Sequence, residues 1–233
     1  MPDSIRITFP LQMAPEVSAP QRSRVLYYLG WRGQTLEPEL ERQLDFCADE
    51  VCRSSCPRLT WRLLPCAEGI PDGLPNRSDD LRTMLAPCGH AVLLAATLGL
   101  SVERRMMRAE AANMSDALIM DACAAALIEE ICDRFEEDLR KELESQAFYL
   151  TDRFSPGYGD LPLDTQQQLC RLLQTEKRIG LTLTAGNILV PRKSVTAVMG
   201  IAETPQPLRK RGCETCSMFF SCAYRKNGEN CHE

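Results

Sequence analysis

The sequence lacks the features that mark several broad classes of protein. Its 27 lysine and arginine residues are outnumbered by 32 aspartate and glutamate residues, so it has no basic excess of the kind that nucleic-acid surfaces carry. No apolar run reaches the ~20 residues that a membrane-spanning helix needs. The first twenty residues do not have the basic and then continuously apolar layout of a secretory signal. These absences predict a cytoplasmic protein that binds neither nucleic acid nor a membrane.

Cysteine, in contrast, is abundant, with 12 residues in a chain of 233. In a small secreted protein this number would indicate a disulfide framework, but a chain of this length without an export signal does not need such cross-links. Cysteines that stand alone in helical patterns, namely Cys123, Cys132 and Cys170, are expected to fill the core. We therefore expect reduced thiols, some of them metal ligands.

The densest group of cysteines lies near the C-terminus. Cys213, Cys216, Cys222 and Cys231 follow the spacing C-x2-C-x5-C-x8-C, and Lys210, Arg211, Arg225 and Lys226 flank them. Four thiolates can close a tetrahedral zinc site or ligate an iron–sulfur cluster, and four unligated thiols are the third possibility. We expect residues 1–208 to form a ligand-binding domain and residues 209–233 a cysteine-rich tail.

A second absence, of glycine and proline between Leu100 and Ser155, predicts the main helix of the fold. Apolar side chains recur there at every fourth position: Cys123, Leu127, Ile131, Phe135 and Leu139. This period indicates one face of a long helix that begins near Asn113 or Ser115.

Shorter helices and strands alternate along the rest of the chain. The pattern predicts helices at residues 22–29, from a Thr35 cap to about 52, at 78–85, and from 164 to about 177, the last with Asp164 and Gln167 as a capping box. Strands are predicted at residues 59–63, 91–99, 181–185 and 193–202. The mixture indicates an α+β fold.

The stretch RFSPGYGDLP, residues 153–162, concentrates unusual residues in one loop. Proline fixes φ and glycine can adopt positive φ, so the backbone can turn sharply and bring its amides close to a ligand. Arg153 offers a planar fork of donors for a carboxylate or phosphate, and Tyr158 offers an aromatic face. The loop could clamp a small ligand with one anionic and one flat end, or it could be a rigid connection between two elements.

Arg153-x-x-Pro156-Gly157-Tyr158 resembles the signature of the activation (reactivation) domain of cobalamin-dependent methionine synthase. Three further segments are similar to the same family, in the same order along the chain. Two of them are similar to the free-standing members of the family: VLYYLGWRG (Val25–Gly33) and AATLGL (Ala95–Leu100). The third is similar to the pair of strands that follows the signature: IGLTLTAGNILVPRKSVTAVMGI (Ile179–Ile201). The resemblance spans roughly residues 20–202.

The resemblance implies a C-shaped α+β fold with a twisted, mostly antiparallel sheet and flanking helices. It also implies an accessory activation subunit of a methyltransferase in methionine biosynthesis. Such a subunit binds S-adenosylmethionine and docks over the cobalamin carried by its partner protein. One electron from a flavodoxin- or ferredoxin-type donor and the methyl group of S-adenosylmethionine then convert cob(II)alamin to methylcobalamin. Here it would act in trans, on a methionine synthase lacking its own activation domain.

The resemblance also implies site residues. Arg153 would bind the anionic end of S-adenosylmethionine, and the backbone of Ser155, Pro156, Gly157 and Tyr158 would contact the adenosine. The family often has two glutamates one helical turn apart. The first of these positions is Ala125 here, and Glu129 is the second. Glu129 or Glu130 could compensate for the missing acid, or Glu129 could be a solvated charge on the helix surface.

Other questions stay open at the level of sequence. Asp79 and Asp80 are further candidates for holding the amino group of the ligand. A non-catalytic module that caps a corrinoid protein is an alternative function, and a metal- or cluster-bearing electron carrier on the same scaffold is another. Binding of S-adenosylmethionine separates the first two functions from the third, and restored turnover separates the first from the second.

Overall fold

The computed structural model describes residues 5–10, 12–31, 33–67 and 69–206. The cysteines of the tail, Cys213, Cys216, Cys222 and Cys231, lie outside the described residues, so the metal site and the boundary at residue 208 stay predictions. Within the described ranges no helix combines the length and the hydropathy required to cross a bilayer.

Helices and strands alternate in these ranges. The helices are α1 (Arg22–Tyr28), α2 (Pro38–Ser54), α3 (Asp79–Leu85), α4 (Leu100–Ala112), α5 (Met114–Glu144), α6 (Thr165–Leu173) and α7 (Thr175–Ile179). The strands are β1 (Gln12–Met13), β2 (Arg58–Ala67), β3 (Ile70–Pro71), β4 (Cys88–Thr97), β5 (Tyr149–Leu150), β6 (Thr182–Leu183), β7 (Leu189–Val190) and β8 (Ser194–Ala202).

The main sheet is antiparallel and curled, with the strand order β1-β2-β4-β8-β5 and with β3 paired to β2. Leu94 at the middle of β4 lies opposite Trp61 on one side and Ala197 on the other. Strands β6 and β7 form a separate antiparallel pair. The predicted α+β class with an antiparallel sheet and flanking helices is confirmed.

Helices cover both faces of the main sheet, which explains the continuous apolar sequence of β4. Alternate residues of β4 belong to two separate cores: Val92, Leu94 and Ala96 to one, and Ala91, Leu93 and Ala95 to the other. The first core contains side chains of α1, α2, α4 and α5. The second contains side chains of α3, α6 and α7. A strand buried on both faces needs no polar alternation.

The long helix is confirmed, and its predicted start is correct. Helix α5 spans 31 residues, and the side chain of Asn113 accepts a hydrogen bond from Ser115 N at 3.0 Å. Its predicted apolar face is buried: Cys123, Leu127, Ile131, Phe135 and Leu139. The segment without glycine or proline nevertheless forms two helices, because Asn113 adopts an extended conformation between α4 and α5.

One predicted helix cap is at the wrong residue, and the other, Asp164, is at the N-cap position but does not form the predicted capping hydrogen bonds. Glu37, not Thr35, precedes α2, and Pro38 is its first residue. The side chain of Asp164 makes no capping hydrogen bond to α6 and accepts one from Arg77 Nη2 instead, at 2.8 Å. Gln167 donates to Asn187 Oδ1 at 2.7 Å, so the capping box does not form. Long-range polar partners take both side chains away from the helix terminus.

The eight described cysteines are free thiols, in agreement with the prediction of reduced cysteine. Cys123 and Cys132 are buried in the first core as predicted, whereas Cys170 is only partly buried. Burial raises the pKa of Cys123 and of Cys132 to about 12, so both stay protonated at neutral pH. In the described part of the chain, no group of three or more acidic, histidine or cysteine side chains could hold a metal ion.

Candidate functional site

The loop at residues 153–162 is held against the sheet at its start. Phe154 exchanges two backbone hydrogen bonds with Val198 of β8, with N–O distances of 2.9 and 2.8 Å. The Phe154 side chain is buried in the second core. Because neighbouring side chains of an extended backbone point in opposite directions, Arg153 lies on the other side, where it contacts α5.

Arg153 lies against three carboxylates of α5. Its Nε is 3.0 Å from Glu136 Oε2, and its Nη2 is 3.2 Å from Glu129 Oε2 and also bonds Asp133 Oδ1. These acids are four and three residues apart, which puts them on one helix face. The side chain of Arg153 is only 10% exposed, and its Nη1 is buried and has no hydrogen-bond partner among the described residues. The thiol of Cys132 also lies beside this guanidinium, and Nη1 can donate to one more anionic partner.

Two further arginines share these carboxylates. Arg24 of α1 contacts Asp133 Oδ2 through its Nη2 at 2.8 Å. Arg140 of α5 contacts Glu136 Oε1 at 3.0 Å and donates to the carbonyl oxygen of Leu150 at 2.6 Å. The cluster thus contains three arginines and three carboxylates. We call Arg24, Glu129, Asp133, Glu136, Arg140 and Arg153 the arginine cluster.

Burial changes the proton affinities within the arginine cluster. It raises the pKa of Glu136 above the ordinary value, although Arg153 and Arg140 act in the opposite direction. Burial also lowers the pKa of Arg153, but the neighbouring Cys132 and Glu129 outweigh this effect and the pKa is raised overall. Arg153 is therefore fully charged at neutral pH.

The loop turns at the positions that the sequence indicated. Gly157 adopts φ +91°, a region that L-residues rarely occupy, and its N–H donates to Leu161 O at 2.8 Å. The N–H of Tyr158 donates to Ser155 O at 3.2 Å. Pro156 is buried, whereas the Tyr158 side chain is 69% exposed. The turn therefore presents backbone and an aromatic ring to solvent above a fixed proline.

Asp160 fixes the other end of the loop to α3. Its carboxylate accepts hydrogen bonds from the Ser78 hydroxyl and from the backbone N–H of Asp79 at 2.7 Å. The hydrogen bond from Ser78 holds the pKa of Asp160 below its ordinary value. Asp79 pairs with Arg82 at 2.7 Å. Asp79 and Asp80 thus lie at the Asp160 end of the loop, whereas Arg153 and its carboxylate partners lie at the start of the loop.

The two candidate glutamates of α5 have different surroundings. Glu129 bonds Arg153 and remains 39% exposed. Glu130 is buried and accepts a hydrogen bond from the backbone N–H of Gln21 at 2.7 Å, so it faces the start of α1. Glu129 is therefore the one that the fold brings to Arg153. Asp133 and Glu136 were missed from sequence, although their spacing after Glu129 on a predicted helix was a usable signal.

Aromatic side chains lie beside the arginine cluster. Tyr28 at the end of α1 is 43% exposed. Burial and then the charge of Glu129 raise its pKa, and Tyr158 acts in the same direction. Tyr28 is thus within electrostatic reach of Glu129 and Tyr158, and all three side chains are partly exposed. A shallow cavity of about 790 Å³ elsewhere, lined by Cys170, Leu181 and neighbouring residues, contains none of the predicted site residues.

Comparison with known proteins identifies a family and a similar fold. The family model described as vitamin B12-dependent methionine synthase, activation domain, matches residues 88–206, which is just over half of the chain and includes β4, α5, the loop and β8. A solved structure, "Crystal Structure of the MetH Reactivation Domain bound to AdoHcy", is similar in fold, with a TM-score of 0.63 and 15% sequence identity. The match covers 94% of this chain and 86% of that chain. No curated protein matches the sequence significantly. The chain belongs to the activation-domain family of vitamin B12-dependent methionine synthase.

Proposed function

We propose that the chain binds S-adenosylmethionine beside the arginine cluster and supplies its methyl group for the reductive reactivation of a cobalamin-dependent methionine synthase. The observation that carries this proposal is the buried Nη1 of Arg153, which makes no hydrogen bond with the described residues and belongs to the first residue of the loop. Membership of the activation-domain family supports it. So does the similar MetH reactivation domain, which was solved bound to AdoHcy. AdoHcy is S-adenosylhomocysteine, the demethylated form of the same ligand.

Each part of the ligand has a chemically suitable partner in this arrangement. The carboxylate of S-adenosylmethionine would accept from Arg153 Nη1, because guanidinium–carboxylate hydrogen bonds are among the strong ones. Glu129 is exposed enough to accept from the ammonium group. The backbone of Ser155, Pro156, Gly157 and Tyr158 would contact the adenosine. The exposed rings of Tyr28 and Tyr158 suit the positive sulfonium, since aromatic faces attract cations.

In this proposal the chain contributes position rather than acid–base or nucleophilic catalysis. S-adenosylmethionine already carries an activated methyl group, and the partner's cobalamin supplies the metal chemistry. The arginine cluster and the loop would hold the sulfonium methyl in a fixed orientation toward the cobalamin. Such positioning lowers the entropic cost of a reaction between two molecules. No side chain of the cluster has to gain or lose a proton.

We further propose that the chain acts in trans on a methionine synthase lacking its own activation domain, with a flavodoxin- or ferredoxin-type electron donor. The similarity of Val25–Gly33 to free-standing family members supports this. The test starts from such a synthase trapped as cob(II)alamin and supplied with an electron donor and S-adenosylmethionine. Turnover should return only when the chain is added, and should not return with Arg153→Ala. Arg42→Ala, which removes an exposed pair with Glu39 on α2, is the matched control and should restore turnover fully.

The same assay separates the alternative of a capping module. A capping module would bind the cob(II)alamin form of the synthase without restoring turnover. If the chain binds the synthase but turnover stays absent with S-adenosylmethionine and electrons supplied, the capping function is correct and the reactivation function is wrong.

A further inference from the structure

Two arginines from different elements converge on a single carboxylate of the arginine cluster. Asp133 contacts Arg24 of α1 through Oδ2 and Arg153 of the loop through Oδ1. Asp133 therefore joins α1 to the loop through α5. The family resemblance singled out Arg153 but gave no role to Arg24 or Asp133.

Both guanidiniums keep one buried nitrogen without a partner. Arg24 Nη1 and Arg153 Nη1 are buried, and neither has a hydrogen-bond partner among the described residues. A buried donor without an acceptor costs free energy, so such atoms mark a place where an acceptor is expected to bind. Both atoms belong to cations that share one carboxylate, so an anionic acceptor would suit them best.

Charge balance assigns a specific role to Arg24. Arg153 contacts three carboxylates, which by themselves would give its surroundings a net negative charge. Arg140 offsets Glu136 and Arg24 offsets Asp133, which leaves Glu129 as the remaining counter-charge of Arg153. Without Arg24 the cluster would carry one more negative than positive charge. That excess would repel a ligand carboxylate and would hold Arg153 more tightly to Asp133.

We infer that Arg24 is a positioning residue for the carboxylate of the ligand: by neutralising Asp133 it keeps Arg153 available to that carboxylate. This inference rests on the proposed function, because it concerns the same ligand site. It extends that function to a residue of α1 and predicts that the effect of Arg24 depends on Asp133.

The test compares two ligands that differ in the relevant group. S-adenosylhomocysteine carries the amino-acid carboxylate, whereas 5′-methylthioadenosine has the same adenosine and a thioether sulfur but no amino-acid end. Arg24→Met should weaken binding of S-adenosylhomocysteine by about tenfold or more, as expected when a charged partner is lost at a partly buried site. It should leave the affinity for 5′-methylthioadenosine within about twofold, since that ligand does not engage Arg153.

A matched control and a compensating variant complete the experiment. Arg22→Met removes an arginine of the same helix whose partners are the exposed Asp45 and Glu41, and it should change neither affinity. Arg24→Met combined with Asp133→Asn removes both charges of the pair and should recover most of the lost affinity. The double variant also leaves no unpaired Asp133 charge, so it keeps the test valid if Arg24→Met alone folds poorly.

The outcomes distinguish failure of the inference from failure of the proposed function. Wild-type protein that binds neither ligand overturns the proposed function and this inference together. Normal wild-type binding with unchanged affinity in Arg24→Met overturns the inference alone. An equal loss for both ligands, or no recovery in the double variant, would mean that Arg24 only supports the fold, and this also overturns the inference.

Discussion

Arg153 and Glu136 form an ion pair of 3.0 Å in which both side chains are largely buried, with exposures of 10% and 16%. Removing Arg153 would leave the buried Glu136 with Arg140 as its remaining cationic partner, and loss of a charged partner at a buried site is destabilising. The pair also joins the loop to α5, so binding and stability are coupled through the same guanidinium.

The first prediction concerns this pair and pH. Arg153→Met should lower the free energy of unfolding at neutral pH by about 1–3 kcal/mol, because Arg140 still compensates part of the Glu136 charge. Burial already raises the pKa of Glu136, and loss of Arg153 should raise it further. A carboxyl whose pKa is higher in the folded than in the unfolded state lowers the free energy of unfolding when it is ionised, at pH values above the folded-state pKa. This loss of stability shrinks as the pH falls below that pKa, because the carboxyl becomes protonated. Urea unfolding from pH 8 to pH 5 should therefore show a shrinking difference from wild type. A difference that is constant with pH would show that Arg153 does not lower the pKa of Glu136.

The second prediction concerns the turn. A Cβ on Gly157 would meet only Leu163 Cδ1, at an ordinary 3.5 Å, so the obstacle to substitution is φ +91° rather than space. Gly157→Val should abolish binding of S-adenosylmethionine, because a β-branched residue is strongly disfavoured at this φ and the loop must change shape. Helix α5 should stay folded, as judged by circular dichroism.

Gly186→Val is the control for the turn. Gly186 does not require positive φ, and a Cβ there would approach nothing closer than 3.9 Å. It should bind S-adenosylmethionine as the wild type does. Normal binding by Gly157→Val would refute the interpretation of the loop as a ligand clamp.

The parts of the fold that the sequence predicts are those governed by local pattern. The four-residue period of α5 and the absence of glycine and proline from it follow from helix geometry, and Asn113 is a strong local cap. Strand β4 is apolar throughout because helices cover both of its faces. The turn at Gly157 was evident from the combination of proline and glycine.

Long-range polar pairing could not be predicted in the same way. Asp164 has the residue type of a cap, but Arg77, 87 positions earlier in the chain, takes its carboxylate. Asp160 accepts a hydrogen bond from Ser78, 82 positions earlier in the chain, and Arg24 of α1 forms an ion pair with Asp133 of α5. Such partners depend on how elements pack, which no local pattern encodes. The acidic face of α5 was visible in the sequence, but its arginine partners were not.

The third prediction tests the packing of the sheet. A Cβ on Gly200 of β8 would lie 2.4 Å from Cys88 Sγ and 2.9 Å from Leu85 Cδ2, so neighbouring atoms would have to move. Gly200→Ala should cost about 1–3 kcal/mol of stability, as overpacking of a core typically does. Adding Cys88→Ala should recover part of the loss in thermal unfolding. Gly89→Ala, with nothing within 4 Å, should be nearly neutral. A loss at Gly200 that Cys88→Ala leaves unchanged would contradict this packing.

The fourth prediction concerns Cys213, Cys216, Cys222 and Cys231. We propose that these thiols bind an iron–sulfur cluster or zinc, on the basis of their spacing and the flanking basic residues. Protein purified without oxygen should be brown with iron and sulfide if it holds a cluster, or colourless with stoichiometric zinc if it holds a structural site. A metal-free sample would refute both. Full reactivation by a chain truncated after Leu208 would show that the tail is dispensable for reactivation.

The central claim is that this chain binds S-adenosylmethionine through Arg153. Calorimetric titration of S-adenosylmethionine into wild type and Arg153→Ala tests it most directly, with Arg42→Ala as the control for loss of an exposed arginine. We expect saturable binding by wild type and by the control. Arg153→Ala should bind about 2–4 kcal/mol more weakly at a temperature where it is folded, because a partly desolvated carboxylate loses its charged partner. Absence of binding by the wild type, or wild-type affinity in folded Arg153→Ala, would contradict the claim.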